Sequence, residues 1–252
     1  MAELLALHNI GISFGGIQAL NGISFAMQPG ELVGLIGPNG AGKTTLFNVI
    51  SGIYAPTSGG FSVDGRAIRR ADPVRLRRLG VTRTFQNIRL FDELSVLENV
   101  YAASLTNQPW RWRQRQRRQD CVELLDRVGL SARIDQRSGD LAYGEQRRLE
   151  IARALATRPR LLLLDEPAAG MNDREKAHLQ QLIEHIHGQM GIGVLMIEHD
   201  MRFIMQLCPR IVALNYGEVI ASGPREAVVN DPAVISAYMG SRRQEGMHAE
   251  FA

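Results

Sequence analysis

Cysteine is nearly absent from this chain. Cys121 and Cys208 stand alone and in no metal-ligand spacing, which excludes a disulfide framework and a cysteine-based zinc site and fits reduced thiols in a cytosol. No apolar run approaches the ~20 residues that a membrane-spanning helix needs. The opening Met1-Ala2-Glu3-Leu4-Leu5 has neither a basic region nor a cleavage site, so no secretory leader is expected. Internal repeats and long low-complexity segments are missing too. Neither sign of charge dominates: 29 Lys and Arg against 26 Asp and Glu leave a net charge of +3, which tolerates an anionic partner without requiring one. What is present is ordinary for a globular protein, 252 residues that are 45% hydrophobic and 22% charged, enough for a substantial core in one or two domains. A cytosolic protein is expected, with any membrane contact made through a partner.

Alternating and apolar runs predict strands at Leu4 to Ile10, Ile23 to Met27, Leu32 to Ile36, Gly60 to Val63, Val81 to Phe85, Leu161 to Asp165, Val194 to Glu198, Ile211 to Leu214 and Val219 to Ala221. Helical patterns fall at Thr45 to Ile50, Ser95 to Ser104, Gly144 to Ala156, Asp173 to His187 and Pro232 to Met239. Strands alternating with helices predict an α/β core with a parallel sheet. The early strands, with their Gly/Asn turns, predict an antiparallel β portion beside it. A mostly helical stretch from about Leu94 to Gly139 separates the two halves of the α/β pattern, and Ser241 to Ala252 reads as a loose tail. His185 and His187, two apart on a helix, point to different faces and read as surface residues rather than a metal pair.

Gly37-Pro38-Asn39-Gly40-Ala41-Gly42-Lys43-Thr44-Thr45 reads G-x-x-x-x-G-K-T between a strand and a helix, the context that gives this phosphate-binding motif its specificity. The glycines let the backbone turn tightly and aim its amides inward, and the following helix adds positive potential at its N-terminus. Lys43 supplies a point charge for the β- and γ-phosphates, and the Thr44 hydroxyl is a Mg²⁺ ligand. A nucleoside triphosphate is therefore the expected ligand. The apolar strand Leu161 to Leu164 ends in Asp165-Glu166. At the sheet edge, Asp165 is placed to hold Mg²⁺, often through water, and Glu166 to orient or deprotonate a water facing the γ-phosphate.

Three further elements accompany these: Gln86 after the strand Val81 to Phe85, the string Leu141-Ala142-Tyr143-Gly144-Glu145 ahead of a helix, and His199 after the strand Val194 to Glu198. The chain order phosphate loop, Gln86, Leu141 string, Asp165-Glu166 and His199 resembles the ATP-binding subunit of ABC transporters, over about Leu5 to Gly240. The resemblance implies a P-loop NTPase core with a parallel sheet, an antiparallel β subdomain and a helical subdomain at about residues 94–157, all within one ABC ATPase domain over residues 1–240, with residues 241–252 as a tail. It also implies roles: Phe14 stacks on adenine, Gln86 touches Mg²⁺ or the attacking water, and His199 contacts the γ-phosphate. Residues Leu141 to Glu145 cap the ATP of an opposite subunit, so two chains sandwich two nucleotides. Ala142 stands where the family has serine, Tyr143 replaces a glycine, and Asn172 lies where many relatives have aspartate.

Within the family, Thr82 to Phe91, Leu94 to Val100, Leu141 to Gly144, Ile197 to Met201 and Pro232 to Gly240 look like the branched-chain amino acid importers. That likeness implies a second ATPase subunit, identical or different, two transmembrane permeases, and indirectly a periplasmic or extracellular solute-binding protein. It places the chain peripherally on the cytoplasmic face of a bacterial inner membrane. Alternatives are a urea importer or lipopolysaccharide exporter of the same subfamily, or a soluble non-transport ABC ATPase. Ile88, Leu90 and Phe91 suit a permease contact and a core position equally. The run Trp110 to Arg118 fits nucleic acid, lipid head groups, or a solvated helix start whose acids Asp120 and Glu123 follow within a turn or two; no specific nucleic acid partner is expected.

Overall fold

The apolar runs that precede the chemical motifs form the middle of one sheet. A computed structural model describes residues 3–69, 72–105 and 114–239; Trp110 to Arg113 of the basic run, Gly240 and the tail lie outside them. Strands β3 (Leu32–Ile36), β7 (Leu161–Asp165) and β8 (Gly193–Ile197) are buried at every position. A strand buried on both faces needs apolar side chains throughout rather than alternation, which is why Leu161 to Leu164 are four leucines. Their order is β10-β9-β3-β8-β7-β6, with β6 at Val81–Arg83, β9 at Arg210–Asn215 and β10 at Glu218–Pro224. Strands β3 and β6 to β9 run parallel, and β10 closes one edge antiparallel to β9. In this register Leu164 faces Met196 and Asp165 faces Ile197, so the motif-bearing ends of the strands share one edge.

The two faces of the sheet are covered differently. Leu32, Ile36, Leu162, Leu164, Val194 and Met196 pack with α5 (Tyr143–Ala156), α6 (Asp173–Gly188) and α7 (Met201–Leu207). Val33, Leu35, Leu161, Leu163, Leu195 and Ile197 pack with α1 (Lys43–Ile50) and a second sheet. That sheet is four-stranded and antiparallel, ordered β2-β1-β4-β5, from β1 (Leu5–Phe14), β2 (Ile17–Met27), β4 (Ser58–Val63) and β5 (Arg66–Ile68). Both β1 and β2 outrun their predicted spans, because Gly15 and Gly16 take positive φ and close a hairpin at Phe14/Ile17. Both cysteines are buried free thiols, and burial pushes the Cys208 thiol up to about 12.

Three helices escaped the sequence reading. Helix α2 (Pro73–Arg78) starts with Pro at its first turn after Asp72, whose carboxylate accepts from the amides of Val74 and Arg75. Asp200 caps α7 in the same way. Helix α8 (Arg225–Val229) follows β10 directly, and a ninth helix, α9, spans residues 232–239. Helix α4 (Gln114–Arg127) carries the described part of the basic run: Arg117 is buried, Arg115 and Arg118 are exposed, and Asp120 accepts from Gln116 and pairs with Arg158 at 2.9 Å. His185 and His187 are half-buried rather than fully on the surface. Among the described residues no group of three or more His, Cys, Asp and Glu is placed to hold a metal ion.

Helix α3 (Val96–Ser104) opens on a reciprocal cap between Ser95 and Glu98. Inside it, the fully buried Asn99 accepts from the Phe91 amide and donates toward the Phe91, Leu94 and Ser95 carbonyls and the Ser138 hydroxyl. One amide thus ties the segment after Gln86 to the segment before the Leu141 motif. Asn99→Leu leaves the Phe91 amide without its partner, at roughly 1–3 kcal/mol, while the carbonyls keep their backbone donors. A clear fall in the urea midpoint is expected, and a midpoint equal to that of the wild type would contradict the tie.

Candidate functional site

The phosphate loop leaves β3 at Gly37 and enters α1 at Lys43. Gly37, Gly40 and Gly42 have φ of 151°, 78° and 99°. A Cβ on Gly37 would sit 2.2 Å from the Leu214 carbonyl oxygen, so at this point only glycine fits. No acidic residue stands in the first turn of α1, and nothing in that turn offsets the positive end of the helix. Lys43 is 6% exposed and its Nζ donates to the carbonyls of Gly37 (2.7 Å) and Pro38 (3.0 Å). Burial pushes its ammonium below the usual lysine range, while Glu166 and Asp165 pull it back up.

A cleft of about 440 Å³ opens over this loop, lined by Asn39 to Thr45, Glu166, His199, Ile17, Gln18, Ala19 and Tyr216. Strand β8 lies between β3 and β7, which brings His199 between the loop and Glu166. Glu166 sits in the left-handed region at φ 48°, a conformation that costs a non-glycine residue about 1–3 kcal/mol. Its amide still donates to Ile197 (3.0 Å), so the turn begins one residue past the strand and redirects the carboxylate. That carboxylate accepts from Gln86 Nε2 at Oε2 and lies against His199 Nε2 at Oε1, both at 2.9 Å. A carboxylate can only accept there, which places the imidazole proton on Nε2. Three residues named from separate motifs thus meet in one hydrogen-bonded chain.

Other named residues are placed elsewhere. Phe14 is half-exposed at the hairpin end, edge-on to Tyr54 with ring centroids 5.1 Å apart, while Ile17, Gln18, Ala19 and Tyr216 line the cleft itself. Asp165 is buried, and its Oδ2 receives Arg83 Nη2 at 2.6 Å. Arg83 also reaches Asn48 Oδ1 at 2.6 Å and lies over the Phe47 and Phe85 rings. The Leu141 to Glu145 string opens α5 outside this cleft: Leu141 and Gly144 are buried, Ala142 and Tyr143 are exposed. A Cβ on Gly144 would meet the Glu175 carboxylate at 2.5 Å. Ala142 has no side-chain cap to offer, and Glu145 Oε2 accepts from its amide instead (3.2 Å). Asn172 caps α6 reciprocally with Glu175, a use that suits asparagine as well as aspartate.

Two positioning groups had no signal in the motifs. Glu198 accepts from the amides of Ala168 (2.6 Å) and His199 (3.1 Å), stapling the chain after Glu166 to the histidine. Burial pushes its carboxyl above the usual range, and those amides hold it down. Arg147, fully buried on α5, donates to the carbonyls of Phe85 and Gln86, to Glu150 Oε2 (all 2.7 Å) and to the Tyr143 hydroxyl (3.2 Å). Glu150 Oε1 also takes the Phe85 amide at 3.3 Å. These contacts explain why β6 stops at Arg83 rather than Phe85: α5 pulls the backbone off the sheet. The apolar trio beyond Gln86 divides, with Leu90 against the core, Ile88 half-buried and Phe91 exposed under the Arg153 guanidinium at 4.7 Å.

Residues 20–169 match the family described as ABC transporter, and residues 218–243 match the family described as branched-chain amino acid ATP-binding cassette transporter. The high-affinity branched-chain amino acid transport ATP-binding protein BraF of Pseudomonas aeruginosa is 41% identical over 249 residues, covering 94% of this chain and 98% of that protein. Among solved structures, the ADP conformation of MJ1267, an ATP-binding cassette of an ABC transporter, superposes with a TM-score of 0.86 at 29% identity, covering 95% of this chain and all of that one. The dimeric post-hydrolysis state of the cassette MJ0796, bound to ADP and Pi, gives 0.78 at 27% identity, over 88% of this chain and 98% of that one.

Removing Arg147 leaves the Glu150 carboxylate and two carbonyls without their partner in the interior. Arg147→Met is expected to lose about 3–5 kcal/mol of unfolding free energy, read by urea denaturation. A loss under about 1 kcal/mol would show that the guanidinium does not hold these parts together.

Proposed function

We propose that this chain, which belongs to the ABC transporter family, is the ATP-hydrolysing subunit of an importer for branched-chain amino acids. The observation that carries the hydrolytic part is the Gln86–Glu166–His199 chain at the cleft of the phosphate loop. The 41% identity to a branched-chain amino acid transport subunit over nearly its full length supports the solute.

In this reading the amides of Asn39 to Thr45 receive the phosphates, and Lys43 presents its ammonium to the β- and γ-oxygens. Glu166 orients a water and accepts its proton as the water oxygen bonds to the γ-phosphorus and the bond to the bridging oxygen breaks, releasing ADP and phosphate. Both Glu166 oxygens are already held, so a bound water replaces one partner. His199, freed in that exchange, points its N–H at the γ-phosphate. Phe14, exposed at the hairpin end just before the cleft-lining Ile17 and Gln18, is the residue assigned to adenine stacking in this reading. Thr44, Gln86 and Asp165 offer a hydroxyl, an amide and a carboxylate with one oxygen committed to Arg83. That sparse donor set fits Mg²⁺, which keeps several waters and takes phosphate oxygens as ligands. When bound, Mg²⁺ neutralises charge on the phosphates.

The Leu141 to Glu145 edge lies outside this chain's own cleft and exposes Ala142 and Tyr143, which supports its use against the ATP of a second ATPase subunit. A groove of about 450 Å³ beside Gln86, lined by Arg83, Phe85, Arg89, Phe91, Glu150 and Arg153 among others, suits a helix of a transmembrane permease. No helix among the described residues is long and apolar enough to cross a membrane. In this reading the chain works on the inner face of the bacterial membrane, held by two permeases that receive solute from a binding protein.

Glu166→Gln is expected to keep ATP affinity, to lower turnover at least a hundredfold, and to abolish branched-chain amino acid uptake in cells that carry it as their only copy. Turnover or uptake at the wild-type level would remove Glu166 from the mechanism or the solute from the assignment. Phe91→Asp is expected to leave turnover of the isolated subunit within about twofold while preventing co-purification with the permeases. Intact co-purification would move the docking site elsewhere.

A further inference from the structure

The phosphate loop is held from outside by a residue 201 positions away. Gly37 N–H donates to the Tyr238 hydroxyl at 2.9 Å. Tyr238 lies on α9, its ring packed against the core cluster that contains Val234 and Ala213. Helix α9 is anchored there by the buried Val234 and started by Asp231, which accepts from the Ala233 amide at 2.8 Å. Burial pushes the phenol above its ordinary range, so the group meeting Gly37 is a neutral hydroxyl.

Gly37 is the first residue of the loop, and its backbone conformation is one that its own missing side chain does nothing to restrain. Two contacts restrain it instead: Lys43 Nζ on its carbonyl and Tyr238 on its amide. Phosphate oxygens compete for the three N–H donors of Lys43, two of which are on the Gly37 and Pro38 carbonyls. The Tyr238 contact lies outside that competition, because it approaches from the side of α9 and uses an amide of the buried Gly37.

We propose that Tyr238 is a positioning residue for nucleotide binding, holding the first turn of the phosphate loop in its receiving shape while phosphate competes for the Lys43 donors. The proposal rests on the reading of this cleft as an ATP site. It gives the C-terminal helix, which lies within the segment matched by the second family, a direct hold on nucleotide affinity. A tyrosine that merely filled space would be replaced by phenylalanine without effect on ligand binding, since the ring and its packing are kept.

The test compares the full chain, Tyr238→Phe and Lys43→Ala by calorimetric titration with a non-hydrolysable ATP analogue and Mg²⁺, together with amide hydrogen exchange at Gly37. Tyr238→Phe is expected to bind about tenfold more weakly, equal to about 1.4 kcal/mol, with faster Gly37 exchange and kcat at saturating ATP within about twofold. Unchanged affinity in the folded variant overturns the proposal. Should the variant not fold, the wild-type protein decides alone: Gly37 must stay protected when the analogue is bound, and rapid exchange there overturns the proposal. A wild-type chain that binds no analogue, like Lys43→Ala, overturns the ATP reading and this inference with it. Binding by the wild type with equal binding by Tyr238→Phe overturns only the inference.

Discussion

A single buried guanidinium decides how the two halves of this molecule meet. Arg147 is shut off from solvent, and its two terminal nitrogens find their partners in the interior, in the carbonyls of Phe85 and Gln86 and the Glu150 carboxylate. A lysine has no planar fork to meet three acceptors at once. The consequence is mechanical. The helix that begins with the Leu141 string cannot shift without moving the backbone of Gln86, and Gln86 is bonded to Glu166. Tyr143, at the exposed start of the same helix, shares the guanidinium. A contact made by Tyr143 with another subunit therefore has a short physical route to the carboxylate over the phosphate loop.

The remaining geometry follows from strand order. With β8 between β3 and β7, three strand ends deliver the loop, His199 and Glu166 side by side, and no long side chain has to span the sheet. What the sheet cannot do is aim Glu166, because a residue continuing β7 would alternate up or down. The left-handed turn at Glu166 solves this at a local cost in backbone energy. Glu198 then fixes both sides of the turn through the Ala168 and His199 amides. Strain is tolerated where surrounding hydrogen bonds over-determine the conformation.

The parts legible in the sequence are those whose chemistry is local. A phosphate loop is one uninterrupted string whose residues do their work within nine positions, and Leu161 to Glu166 declares its burial and its acids together. Gln86 and His199 were found by order along the chain, and their meeting on Glu166 is a fact of strand placement that spacing does not contain. Arg147 could not be singled out, since Arg147-Arg148 on an amphipathic helix looks like solvated charge until the fold buries one and leaves the other half-exposed. Arg83 was hidden likewise, inside a strand where its pairing with Asp165 is set by the β6–β7 register. The helix at Pro73 carried a readable signal, Asp before Pro, that the apolar periodicity of so short a segment was too weak to reinforce.

The two sulfhydryls described in the fold make the protein unusually convenient for spectroscopy. Cys208 has no solvent exposure and Cys121 only 2%, and burial raises the proton affinity of both, so the thiolate that attacks a maleimide is scarce at each. Fluorophores or spin labels can be attached through a newly introduced surface cysteine without first stripping the native pair. A label at one chosen surface position then reports on an otherwise unaltered polypeptide.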